Sequence, residues 1–159
     1  MITSRGFSII ELIMVIVITS IIASVGGFVI FQGVKSYTTA EAATPIANKG
    51  SAALSQLTID LNNAVSFTSV GTQGMTFTNT SGETIVYAYS ANTLTRQVNG
   101  GTARTVTDQL TALNFTYYTT ALASTTTPAS VRLVIIQMTL TGTVGPISLI
   151  NSVYPRNAS

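Results

Sequence analysis

The chain has 159 residues, enough for one domain plus an anchoring helix. It contains no cysteine and no histidine, which excludes a disulfide framework and removes the usual zinc ligands and the commonest general base. Only 8% of residues are charged and the net charge is +2, so the abundant Ser and Thr give a neutral, hydroxyl-rich surface rather than one built for nucleic-acid phosphates.

The first element is a short N-terminal stretch with one basic residue, Arg5, ending in Arg5-Gly6-Phe7. From Leu12 to Phe31 no residue is charged, and only Thr19, Ser20, Ser24, Gly26 and Gly27 interrupt the apolar run. A membrane-spanning helix needs about 20 predominantly apolar residues at about 1.5 Å each, and this run has that length. The hydroxyls within it are expected to bond back to their own helix carbonyls. Arg5 and the amino terminus place Met1 on the cytoplasmic side, with Lys35 a weaker vote on the other. Glu11 lies near the start of the run, where a carboxylate is costly and must neutralise or find a cation.

Three readings of this N-terminus compete. A cleaved secretory signal would use the small residues Ser24-Val25-Gly26, but the apolar run continues past them. A plain signal anchor leaves Glu11 without a reason, unless it simply rests at headgroup depth. The third reading is cleavage on the cytoplasmic side, ahead of the apolar run.

Arg5-Gly6-Phe7-Ser8-Ile9-Ile10-Glu11-Leu12 resembles the processing site of type IV pilins and the related pseudopilins. The resemblance implies cleavage by a membrane prepilin peptidase between Gly6 and Phe7, N-methylation of the new terminus at Phe7, and a glutamate, Glu11, at the fifth mature position. Arg5 supplies the leader charge, and its loss lowers the net charge from +2 to +1. The α-amino group of Phe7 then becomes the cation for Glu11, either within one helix or between neighbouring subunits. Such a pair sets axial register more than it adds net stability. The implied partners are the peptidase/methyltransferase, other pilins in a helical filament, membrane lipid before assembly, and an inner-membrane platform protein driven by an assembly ATPase. The implied location is the bacterial inner membrane with a single pass, then a periplasmic or cell-surface filament. No cofactor is implied.

The expected organisation is a leader over 1–6, a membrane and filament-core helix over 7–31, a helical spine over 32–65 and a β-rich head over 66–159. Pro45 is expected to bend or interrupt the spine, because it lacks an N–H and restricts Thr44. Leu54, Leu57, Leu61, Ala64 and Val65 recur at helical spacing, with Asp60, Asn62 and Asn63 off the stripe. The Gly26-Gly27 pair either weakens the span, by about 1 kcal/mol per residue against alanine, or permits close helix packing.

Beyond Ser66 the pattern turns to strands. Met75–Thr78, Thr84–Ser90, Thr93–Val98, Leu110–Tyr118, Val131–Thr141 and Ile147–Tyr154 are the candidates. Thr80–Glu83, Ala91-Asn92, Asn99-Gly100-Gly101 and Gly142–Pro146 are the turns, and Thr119–Ser130 is a loop. The predicted fold is α+β: one long N-terminal helix packed on an antiparallel meander, pilin-like in layout.

The segments Leu57-Thr58-Ile59-Asp60-Leu61-Asn62-Asn63-Ala64-Val65, Asn92 to Gly100 and Val153-Tyr154-Pro155-Arg156-Asn157 also resemble minor pilins, including those of mannose-sensitive-haemagglutinin-type pili, and the J-type pseudopilin of type II secretion. They imply a low-copy subunit, although the head is smaller than that of many J-type relatives. Major pilin, minor pilin and secretion pseudopilin all stay open on the sequence.

Two other classes weigh less. An enzyme needs convergent titratable groups or a metal; the acids Glu41, Asp60, Glu83 and Asp108 are dispersed, each reads as a solvated surface group, and no metal site is expected. A binding module, for DNA or a surface, would use a small basic patch at Arg96 and Arg104 beside Tyr87 and Tyr89. The alternative roles there are strand-edge protection for the arginines and sheet packing for the tyrosines.

Overall fold

The computed structural model describes residues 8–142 and 145–157. The chain divides into two units, one ending at Glu41 and one beginning at Ala42. The first unit is helical: α1 runs Ile9–Asn62 and is the one described helix long and apolar enough to cross a membrane. Thr19 and Ser20 bond back to the carbonyls of Val15 and Ile16, the latter at 2.7 Å, so these hydroxyls are satisfied inside the helix as expected.

Helical structure is continuous through Pro45, so the proline does not interrupt it. Proline removes the N–H that would reach the carbonyl of Glu41, at a cost of about 3 kcal/mol. Pro45 itself is exposed, and the next residue, Ile46, is buried in the core. Tertiary packing from Ile46 onward offsets the local penalty.

Among the described residues the second unit carries eight strands in two antiparallel sheets. The first sheet runs in chain order: β1 (Ala64–Gly71), β2 (Gly74–Asn79), β3 (Thr84–Ser90), β4 (Thr93–Val98) and β5 (Arg104–Thr107). The second runs β6 (Leu110–Tyr118), β7 (Leu133–Gly142) and β8 (Gly145–Val153), with a 3₁₀ turn η1 (Pro128–Ser130) before β7. The single meander expected from the sequence is therefore two. The break falls where Gln109 adopts φ +62° and Asp108 leaves the ladder to meet Lys49, which starts β6 in a new sheet. The α+β class stands, with the helix packed on antiparallel sheet.

The turns follow their chemistry. Ala91 and Asn92 take φ +47° and +63°, and Asn99 and Gly100 take φ +51° and +70°, the left-handed region that tight hairpins need. The Asn99 Oδ1 accepts the Thr84 N–H at 2.8 Å, closing the β3–β4 end.

The buried stripe of α1 is Ile46, Gly50, Ala53, Leu57, Asp60 and Leu61. It meets Phe77, Tyr87, Ile136, Met138 and Leu140 in one core cluster. Gly50 is required by close approach: a Cβ there would collide with Leu149 and sit 3.0 Å from the Leu140 side chain. Two expected helical residues, Ala64 and Val65, belong to β1 instead, because the helix ends at Asn62 and Thr80 donates its N–H to the Asn63 carbonyl at 2.9 Å.

Candidate functional site

The first candidate is the start of α1. Ser8 precedes the helix, and its carbonyl accepts the N–H groups of Glu11 and Leu12, each at 3.1 Å. Ser8 and Glu11 thus stand at the N-cap and third helical positions, the spacing of a capping box, a signal that was present in the sequence. A carboxylate in the first turn is also favoured by the helix dipole. Glu11 is exposed, as are Ile9, Ile10 and Leu12 around it. Arg5, Gly6 and Phe7 lie outside the described residues.

Large apolar side chains stay exposed all round this helix, from Ile9 to Val34. Gly26, Gly27 and Gly33 have open space where a Cβ would stand, so no contact within the chain demands them.

The second candidate is the set around Arg96. The structure places Arg96 on β4, directly opposite Arg104 on β5. β4 lies inside its sheet, so Arg96 does not guard an edge, whereas Arg104 is on the edge strand. The Arg96 guanidinium reaches across to Asp60, with Nε 2.5 Å from Oδ2 and Nη2 3.3 Å from Oδ1. Tyr87 donates its hydroxyl to Oδ2 at 2.6 Å, and Gln56 donates to Oδ1 at 3.2 Å. Asp60 is 7% exposed, which overturns its reading as a solvated acid off the helix stripe. Its spacing of three from Leu57 would have put it on that stripe.

The arrangement has an electrostatic reason. Asp60 sits in the last turns of a helix, where the dipole disfavours a carboxylate, and that helix has no basic residue of its own there. Arg96 supplies the missing cation from the sheet. The hydrogen bond to Asp60 pushes the Arg96 guanidinium above its ordinary range. Burial pushes the Tyr87 hydroxyl far above 10, and the bond to Asp60 adds to the effect. Tyr87 is therefore a core residue, in accord with its sheet-packing role, and its ring lies 6.4 Å from that of Phe77.

Arg104 is exposed and borders a cleft of about 410 Å³ with Ala52, Gln56, Arg96, Thr105 and Val106. Of the two-residue basic patch, one member is committed to Asp60, leaving Arg104 as the outward charge. Elsewhere, Lys49 pairs with Asp108 at 2.8 Å on the exposed surface and holds that carboxyl below its ordinary range. Glu83 accepts from the Asn79 side-chain amide at 2.8 Å in the β2–β3 turn.

No protein-family model matches the chain, and no curated protein matches its sequence.

Proposed function

We propose that this chain is a structural subunit of a type IV pilus-like filament, a minor one by its head, and not an enzyme. The observation that carries the reading is α1 from Ile9 to Val34, which is apolar on every face, exposed throughout, and opened by the acid Glu11. A helix hydrophobic all round needs hydrocarbon or other helices around it. Both are supplied in turn if the subunit first resides in a membrane and is then extracted into a helical bundle. Gly26, Gly27 and Gly33, uncrowded within the chain, suit close approach by a neighbouring helix.

In this account prepilin peptidase cuts after Gly6 and methylates Phe7. Glu11 then meets the amine of Phe7 in the adjacent subunit, which fixes the axial step. The head remains outside the cytoplasm throughout. Nucleotide-driven force comes from an ATPase acting through a platform protein.

The test is Glu11→Val expressed beside the native chain. The substituted chain is expected to insert in the membrane at normal level and to be missing from sheared filaments. Incorporation at the native level removes the proposed role. Abundance of the native chain in the same filaments separates a major subunit from a minor one.

A further inference from the structure

The two sheets leave four edge strands, β1, β5, β6 and β8, and an unguarded edge is a template for another chain. Three are guarded. The 3₁₀ turn η1 packs on β1, which also carries two register irregularities. β5 is four residues long, bears Arg104 and pairs irregularly. β6 is used from its outer side: Phe115 donates its N–H to the Thr72 carbonyl at 2.9 Å, and Tyr117 accepts from the Thr125 N–H at 2.8 Å.

β8 has none of these devices. Its nine residues pair with β7 without a register shift and include no charge. Among the described residues no backbone hydrogen bond joins β8 to any segment other than β7.

The polar groups on the open side can be identified. Ser152 donates its backbone N–H to the Asn151 Oδ1 at 2.9 Å, so this N–H is directed away from the β7 ladder. Alternation along a strand puts the N–H groups of Ile150 and Ser148 on that same side. Pro146 falls in the same phase, where its missing N–H costs the β7 ladder nothing. Ser148 and Ile150 thus offer open pairing groups, Ser152 would exchange its N–H bond to Asn151 for one to a second copy, and Pro146 ends the series.

We propose that this edge pairs antiparallel with the β8 edge of a second copy of the chain, in a register centred on Ile150. The solvent face of the strand is self-complementary about that residue, while on the inner face Leu149 falls opposite Asn151. Ile150, 67% exposed, would face Ile150 of the second copy. Ser148 would face Ser152, and Ile147 would face Val153. On the solvent face hydroxyl meets hydroxyl and apolar meets apolar; with no charge on the strand, no like charges are opposed. Centring on Leu149 instead would set Ile150 against Ser148 and Ser152 against Pro146, losing both matches. The inner face stays with its own head, since Leu149 packs at Gly50 and Asn151 donates to the Thr58 hydroxyl at 2.8 Å. The inference does not depend on the filament reading, because it concerns only the head.

The absence of cysteine makes the test direct. Full-length Ile150→Cys, Ser148→Cys, Ser148→Cys/Ser152→Cys and Ser90→Cys chains are oxidised mildly in detergent and read on non-reducing gels. Directly opposite residues lie about 5.5 Å apart, within disulfide reach, whereas Ser148 and its symmetry mate are about 14 Å apart. Ile150→Cys and the double variant should dimerise at least roughly tenfold more than Ser148→Cys or Ser90→Cys. Ile150→Lys, placed on the exposed face, should fold normally and sediment as monomer where the native head pairs. Equal cross-linking at all positions, or none at Ile150→Cys, overturns the proposal. So does an unchanged dimer in Ile150→Lys.

Discussion

The Tyr87 hydroxyl, on β3, donates to the Asp60 carboxylate at the end of α1 over 2.6 Å, and the two residues are 27 positions apart in the chain. This bond and the Arg96 pair join the helix to the middle of the larger sheet. A buried carboxylate is costly unless its lone pairs are filled, and here four donors fill them. The joint therefore matters most when one partner is removed.

Asp60→Ala leaves Arg96 and Tyr87 without their acceptor and should destabilise the head by about 3 kcal/mol. Tyr87→Phe removes one bond to a charged group and should cost about 1.5–3 kcal/mol. Denaturant midpoints of the detergent-solubilised chain, followed by near-ultraviolet tyrosine signals, read both. A shift within about 0.5 kcal/mol for Asp60→Ala, the range of ordinary surface changes, would contradict the account.

Arg96 and Arg104 should separate by the same measurement. Arg96→Ala breaks a part-buried ion pair and should cost about 2 kcal/mol after allowance for its partial exposure. Arg104→Ala is exposed and should stay within about 0.5 kcal/mol. If DNA binding is found, its salt-sensitive part should fall with Arg104→Ala in a chain of native stability. A shift lost only with Arg96→Ala would reflect the damaged joint.

Alkaline pH should weaken the head. Burial raises the Tyr87 and Tyr117 hydroxyls well above the usual tyrosine value of about 10. Above that pH the unfolded chain releases protons that the folded chain keeps, so unfolding becomes easier as pH rises. Stability held by these groups is complete below about pH 10 and should then fall by about 1.4 kcal/mol per pH unit for each. Tyr87→Phe/Tyr117→Phe should flatten the decline in denaturation midpoints between pH 10 and 11.5.

Gly50→Leu should cost about 3 kcal/mol, because its side chain must displace Leu149 and Leu140 where the helix meets the smaller sheet. Gly26→Leu, with open space at its Cβ, should leave the head's midpoint unchanged. The same denaturation series measures both.

Much of this fold is local and could be read from the chain. The charge-free run from Leu12 to Phe31 announces its helix, and Ala91-Asn92 and Asn99-Gly100 announce their hairpins through residues that tolerate positive φ. What escaped the sequence depends on distant partners. Asp60 reads as a surface acid until Arg96, 36 positions later, comes beside it. β5, Arg-Thr-Val-Thr, is too short and polar to signal a strand, and exists because β4 offers it a ladder. The helix passes Pro45 because buried residues beyond it hold the chain helical. Glu11 was legible as an unusual acid, while its spacing from Ser8 carries the capping signal.

The central claim is that the apolar helix opens a processed subunit. Intact-mass analysis and N-terminal sequencing of the chain from its native membrane or filaments test it most directly. The account predicts a chain that begins at Phe7 with a methylated amine, so that Glu11 is its fifth residue. A chain still carrying Met1 to Gly6, or one cut beyond Ser24, would contradict it.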